Sequence, residues 1–374
     1  MKRRLPSGNG SLLLLLTSAI VACGSSGSVL ESLDGGASEA GGTADGGMAE
    51  GGPPFSDDAS FPLLDATACD PAVPADGGNG CCPGYVPDGG VGCCPGFNSN
   101  GAGGCVQGSV RRPFLVGSSM RSAVAQAGGD WSQALAPLLL RPDAATSKML
   151  AASWLKDALE EHASVAAFAR FTMLLLSVSA PPELVVQSQR ASLDEIRHAR
   201  ACFALAERHG GVAHGPSGLT VHDSLGKMSL AEIAALTAEE GCVGETLGAA
   251  LAAEQLAVTR DPATIAVLRK IALDEARHAE LAWRFVAWAT RKGGPEVERA
   301  VVRAVERAIA GTLAAELRTY DGIDLDMWHA HGRLTCHESR AVTERTIEEV
   351  VRPCLATVLR GKAQTAERAT DHLA

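Results

Sequence analysis

The sequence predicts an all-α fold: a four-helix bundle with a long crossover between its second and third helices, extra C-terminal helices, and a disordered, Cys-rich N-terminal region. Three observations predict it. A heptapeptide occurs twice, Leu193-Asp194-Glu195-Ile196-Arg197-His198-Ala199 and Leu273-Asp274-Glu275-Ala276-Arg277-His278-Ala279, differing only at its fourth position. An acidic pair precedes each copy at nearly the same distance, Glu160-Glu161 and Glu239-Glu240. Finally, 22 of the 41 glycines lie between Gly24 and Val110 with 11 acidic residues and no Lys or Arg, so that stretch can bury little and the core must lie downstream.

At the N-terminus, Lys2, Arg3 and Arg4 precede the apolar run Leu12 to Ala22. That run is too short to span a bilayer and fits a signal peptide over residues 1–22. Cys23 follows Ile-Val-Ala, which resembles a bacterial lipobox and predicts a lipid-modified Cys23 tethering an otherwise soluble domain to the lipid bilayer of the cell envelope, periplasmic or at the surface. An ordinary signal peptide cleaved nearby is the alternative. Loss of the leader moves the formal net charge from -10 to -13, which opposes nucleic acid as a partner and slightly favours cations.

Residues 23–68, with repeated Gly-Gly and Ala-Asp-Gly-Gly, read as a flexible acidic tether. In residues 69–105, Cys69, Cys81, Cys82, Cys93, Cys94 and Cys105 recur with a 12-residue period. Six cysteines in an exported segment with almost no core read as a disulfide module, with zinc binding as the alternative, and its protein partner is left open. Residues 106–145 connect it to the first helix, and Trp131 is expected to pack on the bundle.

The helices are expected at 146–178, 183–208, 229–258 and 263–291, giving a domain over 146–291. Ser179-Ala180-Pro181-Pro182 and Arg260-Asp261-Pro262 each stop one helix and start the next, because Pro is tolerated in the first turn but not the interior. His209-Gly210-Gly211 ends the second helix, and Ser229 with Glu232 is a capping-box signature for the third. Between them, the segment from Gly210 to Met228 can return along a helix of roughly 37 Å at about 3.3 Å per residue, so helices two and three run parallel. His209, His214 and His222 read as solvated loop histidines.

The extension over 292–374 is expected to carry helices from Pro295 to Leu317 and from Ser339 to Leu359. The loop between them holds Trp328, His329, His331, Cys336 and His337, whose irregular spacing favours a structural loop over a second metal site. A disulfide is expected between Cys336 and Cys354.

Each heptapeptide carries Glu-x-x-His, which places a carboxylate and an imidazole on one helix face about a turn apart, a metal-ligand spacing. Ala191, Ala199, Cys202 and Leu205 stack on Glu195 and His198; Leu268, Ile271, Ala279, Ala282 and Phe285 stack on Glu275 and His278. Both pairs therefore point into a core, where an acid and an imidazole cost several kcal/mol unless paired or metal-bound. By helical phase Glu161 joins Trp154, Ala158, Val165 and Phe168, whereas Glu160 joins Lys156 and Ser164. Glu240 joins Ile233, Leu236, Val243 and Leu247. The expected ligand set is thus Glu161, Glu195, His198, Glu240, Glu275 and His278. Glu245 lies about 140° around a regular helix from Glu240, outside the site, but a one-residue bulge would bring it in as an additional carboxylate.

On these residues the segment 150–290 resembles the ferritin-like superfamily of di-iron carboxylate proteins, which includes bacterioferritin, rubrerythrin and the ribonucleotide reductase small subunit. The resemblance implies a ferritin-like four-helix bundle holding two Fe ions, with Mn as the alternative in either position, in an oxidoreductase of oxidase, peroxidase or oxygenase type that reacts with O2 or peroxide. Four carboxylates would balance two Fe(II). It further implies that Asp194 and Asp274 accept the second ring N–H of the opposite histidine, His278 and His198 respectively, and that Arg197 and Arg277 balance buried negative charge. Both arginines also read as solvated helix-face partners. No tyrosine lies between residues 151 and 290, which argues against a tyrosyl radical site, and rubredoxin-like Cys-x-x-Cys pairs are missing. The tether, the Cys-rich module and the C-terminal extension would crowd a storage cage, leaving a monomer or dimer. Cys202 and Cys242 read as buried core thiols, with a redox role as the alternative. The competing class is a non-catalytic surface lipoprotein, with a structural or vestigial metal site, acting as a binding module.

Overall fold

The computed structural model describes residues 112–315 and 322–360. The signal peptide, Cys23, the tether and the Cys-rich module lie outside the described residues. Within them the chain is helix-rich, as expected, with four short strands in the connector and the crossover. Strands β1 (Leu115–Val116) and β2 (Ser119–Met120) form a hairpin turning at Gly117, whose φ of 62° suits a residue without a Cβ. Strand β3 (Ala125–Ala127) pairs antiparallel with β4 (His214–Pro216), which ties the connector to the crossover.

Helix α1 spans Ala144–Ser177 and is capped by Asp143, whose carboxylate accepts from the Thr146 amide at 2.9 Å. Helix α2 spans Pro182–Gly210, with Pro in its first turn and Gly211 in a left-handed cap at φ 73°. Helix α3 (Leu230–Thr237) opens on the Ser229–Glu232 capping box, then passes through a π-helical turn at Ala238–Val243 into α4 (Gly244–Val258). Helix α5 spans Pro262–Leu313 but breaks at Gly294, where φ 68° and ψ -151° admit only glycine and Pro295 opens the continuation. Short helix α6 (Leu325–Ala330) and α7 (Cys336–Thr346) follow; α7 runs through a second π-helical turn, Ile347–Val351, and stays helical to residue 360.

Helix α1 packs on α2, the α3–α4 run packs on α5, and the two pairs meet along α2 and α5. Two apolar clusters hold them. One includes Phe168, Phe171, Leu247, Trp283 and Phe285, with Phe171 and Phe285 edge to face at 5.2 Å. The other includes Trp154, Phe203, Leu205, Leu268 and Ile271, and Trp131 closes it by packing edge-on to His162 at 4.9 Å. Each such large side chain contributes about 1.5–3 kcal/mol through burial. The acid and imidazole positions fall between these clusters in sequence: between Ala158 and Phe168 on α1, Ala191 and Ala201 on α2, and Ala272 and Leu281 on α5.

Two expectations are corrected. The Cys336–Cys354 disulfide does not form: Cys336 is disulfide-bonded, but Cys354 is not its partner. His209 is not a solvated loop residue. It ends α2 inside the protein, edge-on to His331 at 4.7 Å, next to the Arg208–Asp261 ion pair that fastens α2 to the start of α5.

Burial, reinforced by His331 and Arg208, lowers the His209 pKa from 6.5 to about 3. The unfolded chain takes up this proton near 6.5 and the folded protein does not, so the stability from neutral His209 is complete above about 6.5 and is lost as pH falls toward 3. Thermal unfolding across that range should show a steeper loss in the wild type than in His209→Leu; equal losses would contradict this account.

Candidate metal centre

Two groups of ligand atoms converge inside the helices. Glu161, Glu195, His198 and Glu275 form one; Glu195, Glu245, Glu275 and His278 form the other. In each group one ligand atom from every residue lies within 4.8 Å of the rest. Glu195 and Glu275 belong to both, so the groups are contiguous, each with its own histidine and its own terminal carboxylate. All six residues are at most 2% exposed.

Five of the six expected ligands meet here; Glu240 does not. On a regular helix Glu240 would face inward and Glu245 would turn about 140° away. The π-helical turn at Ala238–Val243 inserts a residue into the helical phase, turning Glu245 inward and Glu240 aside. Glu240 instead accepts a bond from Arg170 Nη2, accepts the Leu115 amide at 2.9 Å, and lies 3.9 Å from Arg112 Nε. Burial raises its pKa, opposed by both arginines. Within the acidic pairs, Glu160 and Glu239 face outward to Lys156 at 2.9 Å and Arg307 at 3.7 Å.

The histidines are aimed by acids from the opposite helix. His198 Nε2 lies 3.0 Å from Asp274 Oδ2, and His278 Nε2 lies 3.4 Å from Asp194 Oδ2, the crossed pairing that the resemblance implies. A carboxylate at Nε2 keeps a proton on that nitrogen and turns Nδ1 toward the glutamates. His198 Nδ1 is 3.6 Å from Glu275 Oε1 and 3.7 Å from Glu195 Oε2; His278 Nδ1 is 3.0 Å from Glu195 Oε1, without the alignment of a hydrogen bond. Lys270, bonded to Asp274 at 2.5 Å, and Arg277, shared between Asp194 and Asp274, form a half-exposed basic cover over the two aspartates, and Arg197 joins it at Asp194.

Burial alone would lower the pKa of both imidazoles, but Asp274, Glu195 and Glu275 push His198 well above its ordinary value, and Asp194, Glu195 and Glu275 do the same for His278. Burial drives the Glu245 carboxyl far up and the neighbouring Glu275 charge adds to it. Burial also acts to raise Glu275, yet the neighbouring Glu245 carboxyl and the positive charge of the two imidazoles hold it well below the carboxylate range. Four buried carboxylates face only two imidazoles, an excess of acidic groups that a cation would offset.

The donor set fits divalent metal ions. Both oxygens of Glu195 and of Glu275, Glu245 Oε1, and Nδ1 of both histidines are buried and make no hydrogen bond. Polar atoms left so are rare in folded interiors and here all converge on one point. Carboxylates with imidazoles suit hard or borderline cations.

Sequence reasoning missed Arg112 and Arg170, which arrive from the connector and from the far side of α1. No family model, curated protein or solved structure matches the chain.

The swap between Glu240 and Glu245 makes two variants diverge. Glu240→Gln leaves Arg170 and Arg112 without their buried counter-charge and should cost about 3–5 kcal/mol of stability while ion stoichiometry is kept. Glu245→Gln should weaken divalent-ion uptake with little loss of stability. Mn(II) titration beside chemical denaturation checks both, and the reverse pattern would restore Glu240 as the ligand.

Proposed function

We propose that the described helices form a ferritin-like four-helix bundle whose residues Glu161, Glu195, His198, Glu245, Glu275 and His278 hold two iron ions, and that the protein is an oxidoreductase acting on O2 or peroxide. The observation that carries this is the pair of four-residue groups sharing Glu195 and Glu275. When bound, two Fe(II) ions supply the electrons for reduction of the oxidant; Mn is the alternative in either position.

The chain's own residues hold that chemistry in place. Glu195 and Glu275 are common to both groups and would serve both ions. Asp274 and Asp194 fix the tautomers of His198 and His278 and raise their basicity. Phe168, edge-on to His278 at 5.0 Å, helps keep water from the cluster. Ligands at most 2% exposed favour a small oxidant over a bulky organic substrate.

As for placement, no helix among the described residues is long and apolar enough to cross a membrane. We propose attachment to the cell envelope through a lipid on Cys23, on the strength of the sequence pattern alone.

Anaerobic loading tests the function. The full chain should take up two Fe(II), gain thermal stability on loading, and consume O2 or peroxide with growth of ferric absorption. Glu195→Ala combined with Glu275→Ala should abolish uptake. Failure of the wild type to bind metal stoichiometrically, or unaltered binding in the double variant, would sink the proposal. Asp274→Asn should weaken ion binding about 10–100-fold by loosening His198; unchanged affinity would remove the aspartate's orienting role.

A further inference from the structure

A second buried cation, besides Arg170, stands against the centre. Arg112 is 1% exposed, with Nη1 3.9 Å from Glu245 Oε1 and Nε 3.9 Å from Glu240 Oε2. Neither nitrogen makes a hydrogen bond, so ion-pair geometry is not what seats the guanidinium. Aromatic faces do: its Cζ lies 4.4 Å from the Phe168 ring centroid and 4.7 Å from that of Phe171. The Arg112 carbonyl accepts Ser164 Oγ at 2.8 Å, which pins the backbone to α1.

Gly241 in the π-helical turn makes the room. A Cβ there would lie 2.9 Å from Arg112 Nη1 and 2.6 Å from the Ala282 Cβ, an atom that cannot swing away. Arg170 already bonds Glu240 directly, as does the Leu115 amide. Glu240 therefore faces two arginines, and Arg112, as near to Glu245 as to Glu240, brings a second positive charge against the single charge of Glu240.

We propose that Arg112 is a positioning residue of the Glu195–Glu245–Glu275–His278 group, a fixed positive charge that weakens divalent-cation binding at Glu245. The inference rests on the dinuclear reading above. Four ligand carboxylates match two divalent ions in charge, and Glu240 matches Arg170; Arg112 is then surplus. An ion entering beside Glu245 meets a like charge in a buried, weakly screened setting, where Coulomb repulsion is strong.

The test is a titration of the full chain with Zn(II), which involves no redox change, using a competing chelator and comparing wild type, Arg112→Met, Arg112→Gln and Arg112→Lys. Circular dichroism identifies the variants that fold. We expect Arg112→Met to bind the weaker of its two ions at least about tenfold more tightly than the wild type, and Arg112→Lys, which keeps the charge, to stay near the wild type. Arg112→Gln carries the same expectation should the methionine variant not fold. Two-ion uptake with unchanged or weaker affinity in a folded uncharged variant overturns the role of Arg112 alone. Absence of ion uptake by the wild type overturns the dinuclear reading and this inference with it.

Discussion

Four glutamates crowded into the middle of a helical core are the constraint to which the rest of this structure answers. A buried carboxylate costs several kcal/mol unless countered, and here Glu161, Glu195, Glu245 and Glu275 lie in two contiguous groups with two histidines. The apolar clusters on either side cannot relieve that cost; they raise it by excluding water. Relief must come from cations inside, and the protein arranges positive charge on several sides: imidazoles in the cluster, Arg112 behind Glu245, and Lys270 with Arg277 over the aspartates.

The same constraint accounts for the irregular third helix. A regular helix through residues 230–258 would place Glu240 in the cluster and leave Glu245 outside. The π-helical turn exchanges them, and the displaced Glu240 finds Arg170 and the Leu115 amide. Through these bonds the connector is drawn onto α1 and α3. The short hairpin β1–β2 is therefore fastened to the centre by one carboxylate that does not belong to it.

Much of this was legible in the chain. The repeated heptapeptide supplied four side chains of the cluster because Glu-x-x-His is a local pattern on a regular helix. Pro182, Pro262, Gly211 and the Ser229–Glu232 box marked helix ends through equally local chemistry. Glu240 departs from its expected place because the turn at Ala238–Val243 does not keep 100° per residue. Arg112 was invisible, since its role depends on contacts with Phe168, Glu240 and Glu245, far along the chain. His209 was misread because nothing near it in sequence announces His331.

A signal for Glu245 was nonetheless present in axial height rather than phase. Glu275 lies 13 residues after Pro262, and Glu245 lies 13 residues before Val258, where α4 ends. At about 1.5 Å per residue both are about 20 Å from the turn, so they stand level across the helix pair, whereas Glu240 would stand about 27 Å away. Phase selects the face of a helix and height selects the position along it. A ligand must satisfy both, and where they conflict one π-helical turn adjusts the phase without shifting the helix along a neighbour whose Asp274 is already bonded to His198.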